Sequence, residues 1–95
     1  MSAWFDHTGI LMRVLREFMV EGCKVTLFQW NNRYLIKIEA GPLEQTFKVD
    51  QFDFADEGEV ISLLDEPFVK EALARFSDMA TSLNRARERA QNDMS

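Results

Sequence analysis

From Val25 to Gly41 the chain reads VTLFQWNNRYLIKIEAG, two stretches that alternate on either side of Asn31-Asn32. Asparagine tolerates the positive φ that both central positions of a type I′ turn require, so the pair predicts a two-residue hairpin loop with Trp30 opposite Arg33. One face of this ribbon then pairs Leu27 with Ile36, Val25 with Ile38 and Cys23 with Ala40. The other pairs Phe28 with Leu35, Thr26 with Lys37, Lys24 with Glu39 and Trp30 with Arg33. Opposite charges meet and apolar meets apolar, the combinations that stabilise cross-strand neighbours. Gly41-Pro42 turns the chain again, and LEQTFKVD places Leu43, Phe47 and Val49 toward a core and Glu44, Thr46 and Lys48 outward. The expected sheet is a three-stranded antiparallel meander.

The flanking segments follow the helical period. Between Trp4 and Glu21, the residues Trp4, Leu11, Val14, Leu15 and Phe18 fall at helical spacing, with Ile10, Met12 and Met19 widening the stripe. Gly22 suits a helix stop, and Gly9 weakens the first turns, so the helix begins at Trp4 or near Thr8. After the meander, Asp56 followed by Glu59 ahead of Val60, Ile61, Leu63 and Leu64 has the form of a capping box opening a short helix. Asp65-Glu66-Pro67 signals a second start, because proline suits the first helical position. Val69, Ala72, Leu73, Phe76, Met79, Ala80, Leu83 and Ala90 then hold helical spacing to about Gln91, with Val69, Phe76, Leu83 and Ala90 seven apart. At about 36 Å this helix is longer than a typical strand of roughly 17 to 20 Å, so its far end overhangs the sheet.

The expected architecture is therefore one small α+β domain over 1–95: N-terminal helix, three-stranded antiparallel meander, short helix, and long C-terminal helix packed on the sheet. Ninety-five residues hold one modest core, since a chain of this size buries about 60 to 65 per cent of its unfolded surface. Hydrophobic residues make up 46%, eight of them Phe and two Trp, which is too apolar for a disordered chain. That element order resembles the layout of secretion chaperones that dimerise and hold an unfolded partner. The likeness is one of order, and fold does not fix function.

Charge narrows the partners. Eleven Lys and Arg against sixteen Asp and Glu give a net charge of -5, which repels polyanions and disfavours duplex DNA and anionic membranes. A single cysteine forms no internal disulfide, no apolar run is long enough to span a bilayer, and the N-terminus has no basic or apolar leader. These features point to a cytoplasmic protein.

Candidate chemistry is sparse. The acids from Asp53 to Glu59 fail the EF-hand template, because with Gly58 as the loop glycine the third position is Ala55 and the twelfth Leu64. Capping and solvation account for them better than a metal. His7 and Cys23 are the sole imidazole and thiol, so a dyad would need both and a zinc site would borrow carboxylates; a helix-start histidine and a buried strand cysteine fit better. The four glycines are scattered, forming neither a phosphate loop nor a nucleophile elbow. Catalytic, cofactor and metal residues are therefore expected to be none, and the chain is expected not to be an enzyme. In the tail, Arg85, Arg87 and Arg89 suit a solvated helix C-terminus.

The outward face of the meander is the informative feature. Phe28, Trp30 and Leu35 cluster there with Arg33 where an outward face is normally polar, which marks a partner-binding surface. The expected cover is a second copy of the chain or the overhanging half of the long helix, with Val69, Phe76 and Leu83 as the self-association stripe. Lys24, Arg33, Lys37 and Lys48 interleave with the two aromatics, so a rival reading stacks single-stranded bases on this face. Glu39 and Glu44 on the same face, and the lack of an RNP-like motif, weigh against it. The expected function is a non-enzymatic, homodimeric adaptor for an unidentified protein partner.

Overall fold

The structure, a computed structural model, describes residues 3–5 and 11–93. Strands β1 (Ala3–Phe5), β2 (Leu11–Val20), β3 (Cys23–Trp30), β4 (Arg33–Ala40) and β5 (Leu43–Asp50) precede a single 3-10 turn, Gln51–Asp53. Helices α1 (Glu57–Ile61) and α2 (Glu66–Asp93) complete the chain. The strands form one antiparallel sheet in the order β1-β2-β3-β4-β5, four long strands with the three-residue β1 added at one edge. The molecule is α+β, with the helices on one face of the sheet.

The meander forms as its pattern dictates. Asn31 and Asn32 both have positive φ, 50° and 62°, as a type I′ turn demands. β3 and β4 pair from Lys24 with Glu39 to Trp30 with Arg33, and β5 continues with Ile36 opposite Phe47 and Tyr34 opposite Val49. Gly41 at φ 60° opens the second loop ahead of Pro42.

The expected N-terminal helix is a strand. Residues 11–20 pair with β3, from Met12 opposite Trp30 to Val20 opposite Cys23, and the sheet gains a fourth long member. Glu21 and Gly22, read as a helix end, instead take positive φ, 49° and 79°, at the turn between β2 and β3. Glycine at positive φ serves a helix stop and a type I′ turn equally, so this signal could not separate the two. A bulge between Val14 and Arg16 slips the register by one, placing Leu15 and Phe18 toward the helices and Met12 and Val14 on the far face. This phase slip gives the apolar residues their helix-like spacing. The option of a helix beginning near Thr8 lies outside the described residues. With a strand in place of the first helix, the element order no longer matches that of the secretion chaperones.

The core lies between the sheet and the helices. Cys23, Val25, Leu27, Tyr34, Ile36 and Ile38 are buried against Val60 of α1 and Ala72 and Phe76 of α2. Asp56 caps α1 by accepting from the Glu59 N–H at 2.9 Å, while the Glu59 carboxylate accepts from the Ala55 N–H at 3.3 Å. Asp65 caps α2 by accepting from the Phe68 N–H at 3.0 Å. β5 holds α2 in place: Gln45 Nε2 donates to the Ala72 carbonyl at 2.9 Å, and Arg75 Nε donates to Gln45 Oε1 at 2.8 Å. The Arg75 guanidinium also stacks on the rings of Phe47 and Phe68, which meet edge to face with centroids 5.2 Å apart. At 28 residues, α2 is about 42 Å long. It leaves the sheet beside the β4–β5 loop, and from Thr81 to Asp93 every residue is exposed, so the expected overhang is present.

Candidate interaction surfaces

The pleat brings Phe28, Trp30, Arg33 and Leu35 together on the face turned away from α2. Phe28 lies opposite Leu35 and Trp30 opposite Arg33. Yet the single chain already buries Phe28 and Leu35 to 7% and 8% exposure, Trp30 is half-buried, and only Arg33 is exposed. Part of the cover comes from cations. The Lys37 ammonium stands 5.6 Å from the centre of the Phe28 ring and that of Lys48 stands 5.7 Å from the centre of the Trp30 ring. Val14 and Met12 of β2, opposite Phe28 and Trp30, are half-buried as well. The overhanging half of α2 takes no part, because α2 packs on the other face and its residues from Thr81 on are exposed. An open apolar patch is thus not what this face offers. Lysines seated on its rings occupy positions where bases would stack, and the carboxylates of Glu17, Glu39 and Glu44 share the face.

The stripe Val69, Phe76, Leu83 divides where α2 leaves the sheet. Phe76 is buried in the chain's own core and Val69 is half-buried in an apolar cleft with Val20, Cys23, Leu64 and Leu73. Leu83, 38% exposed, is the first member beyond the sheet, beside a groove with Ala40, Pro42, Leu43 and Ala80. Of the three, Leu83 alone is open to a partner.

The remaining candidates resolve locally. Of the acids of the 50–59 segment, Asp50 and Asp56 act as caps, Asp50 accepting from the Phe52 N–H at 2.9 Å and Asp56 from that of Glu59. Among the described residues no group of three or more His, Cys, Asp and Glu side chains converges to hold a metal ion. Cys23 is a buried free thiol, while His7 lies outside the described residues. On the far face, Glu17 accepts a hydrogen bond from Lys24 at 3.0 Å; this bond, the Glu17 charge and, less strongly, Glu39 hold the Lys24 ammonium above the usual lysine pKa.

A further surface had no signal in the pattern of any single segment. β5 is the last strand of the sheet, eight residues without a bulge, and among the described residues no strand pairs with its outer edge. The opposite edge is blunted: β1 pairs only with Leu11 to Arg13, the bulge at Leu15 interrupts β2, and Arg16 beyond it reaches Glu57 of α1 at 3.7 Å. Next to the far end of β5, Phe52 is 76% exposed. No protein-family model, curated protein or solved structure matches this chain.

Proposed function

We propose that the chain is a non-enzymatic, cytoplasmic protein-binding or adaptor module that works as a homodimer. One observation carries this reading: α2 continues for 13 residues (81–93) past its own core with every residue exposed and Leu83 and Ala90 still in the stripe begun by Val69 and Phe76. The docked half of α2 nucleates this extension, but its residues bury nothing within the chain itself, so the continued stripe is best explained by a surface that it meets. The described helices also include none long and apolar enough to cross a membrane.

Affinity capture from the native cell at moderate salt, using wild type beside Leu83→Glu, tests the reading. A protein recovered by wild type and lost with the variant supports it. Retention of the wild type on heparin at low salt, released as salt rises, favours the single-stranded nucleic-acid reading instead, because phosphate binding depends steeply on salt.

A further inference from the structure

The open edge of β5 has a charge pattern that is complementary to itself. In a two-residue hairpin the residues flanking the loop, here Ala40 and Leu43, exchange both backbone hydrogen bonds, and bonded and non-bonded positions then alternate. Leu43, Gln45, Phe47 and Val49 therefore turn their backbone groups toward β4. Glu44, Thr46 and Lys48 turn theirs toward the empty edge. A second β5 adding antiparallel to that edge must pair even-numbered residues with even-numbered residues.

Three such registers are close in overlap, and charge separates them. Centred on Phe47, Glu44 meets Asp50 and repels it. Centred on Gln45, Glu44 meets Thr46 and Lys48 meets Pro42, so neither charge finds an opposite one. Centred on Thr46, Glu44 meets the Lys48 of the second copy twice over, Thr46 meets Thr46, and Leu43 meets Val49, all favourable cross-strand pairs. Among the described residues Glu44 also has no cation partner: its neighbour across the ladder is Glu39, and the ion pairs there are Arg16 with Glu57, Lys24 with Glu17 and Lys37 with Glu39.

The same symmetry accounts for the overhanging helix. Antiparallel pairing about Thr46 sets Leu43 of one copy beside Val49 of the other, and so brings the end of the sheet where α2 departs next to the other copy's Asp50–Asp53 bend. A two-fold axis normal to the sheet keeps both helical layers on one side. The distal half of α2 offers Leu83 and the cations Arg85, Arg87 and Arg89, while the bend offers the exposed Phe52 between Asp50 and Asp53. One ladder alone makes a narrow contact, and a stable dimer needs roughly 1,200 Å² or more. The arm of α2 widens it.

Resting on the homodimer reading above, we propose that two copies join edge to edge through β5 about a two-fold axis at Thr46, each laying the distal half of its α2 against the Asp50–Asp53 bend of the other. The partner that this surface fits is a second copy of the same chain, and the product is one continuous sheet.

Sedimentation equilibrium at micromolar concentrations tests the proposal. Glu44→Lys and Lys48→Glu each place like charges opposite one another twice, and each is expected to raise the dimer dissociation constant by about tenfold or more. Mixed in equal amounts, these two variants are expected to pair with each other, because one chain then carries lysine at both positions and the other glutamate at both, which restores both contacts. Thr46→Pro, which removes an N–H that faces the empty edge, is expected to give a folded monomer with an unchanged circular dichroism spectrum. A dimer indifferent to both charge reversals overturns the proposal; if Leu83→Glu splits that dimer, the contact lies on the helix and the homodimer reading survives. A wild type that stays monomeric overturns the proposal and the homodimer together, while the adaptor reading still stands or falls with the capture experiment.

Discussion

Lys48 of β5 places its ammonium 5.7 Å from the centre of the Trp30 ring of β3, reaching across β4 on the sheet face away from α2. The contact links an edge strand to the centre of the sheet and shields a large ring that would otherwise stand in water. Replacing Lys48 with Ala is expected to lower stability by about 0.5 to 1 kcal/mol, the range of an exposed cation–π contact. In a Trp4→Phe background the emission of Trp30 is expected to shift to the red. Unchanged emission would show that the lysine does not sit on the ring.

The turn between β2 and β3 places a non-glycine residue, Glu21, at φ 49°. Left-handed backbone costs an ordinary L-residue roughly 1 kcal/mol, and asparagine less. Glu21→Asn is therefore expected to raise the unfolding free energy by about 0.5 kcal/mol, whereas Gly22→Ala, at φ 79° with open space around it, is expected to lower it by about 1 kcal/mol. Denaturant unfolding measures both. The reverse order would contradict a hairpin at this position.

Ile36 and Leu27 lie opposite each other in the core and are almost fully covered. Truncating either to Ala removes buried methyl groups and leaves a cavity, with an expected loss of about 2 to 5 kcal/mol in denaturant unfolding. The cap of α2 is worth less: Asp65→Ala is expected to cost about 1 kcal/mol and Asp65→Asn only a fraction of that.

Lys24 gives a pH dependence of known sign. Its folded pKa is raised by the hydrogen bond and charge of Glu17, so the pair stabilises the fold from neutral pH up to the ordinary lysine value and is lost as pH rises through the raised one. The Lys24 pKa followed by NMR titration is expected to fall toward the ordinary value in Glu17→Gln. Stability curves of the two proteins should differ near neutrality and converge in strong alkali.

The sequence made the meander legible because its signals are local. Asn31-Asn32 sets one turn, Gly41-Pro42 the next, and strict alternation between them leaves a single register that buries Val25, Leu27, Ile36 and Ile38. Asp56 and Asp65 marked the helix starts for the same reason. β2 was illegible because the bulge at Leu15 breaks the period of two, and Leu, Met, Arg and Glu are good helix formers, so spacing and propensity misled together. The sheet overrides both by pairing residues 12–20 with β3. For the far face, side chains at Phe28, Trp30 and Leu35 could be placed on one side from alternation alone, but their burial depends on β2 neighbours such as Val14 and on where Lys37 and Lys48 come to rest. The β5 edge depends on strand order, which no single segment encodes.

Amide exchange along β5, followed by NMR as the protein is diluted, tests the central claim of an interface at this edge most directly. The N–H groups of Gln45, Phe47 and Val49 bond to β4 and are expected to exchange slowly at every concentration. Those of Glu44, Thr46 and Lys48 face the edge, and are expected to be protected in concentrated solution and to lose that protection as the dimer dissociates. Fast exchange at Thr46 at all concentrations, or slow exchange there that ignores dilution, would contradict it.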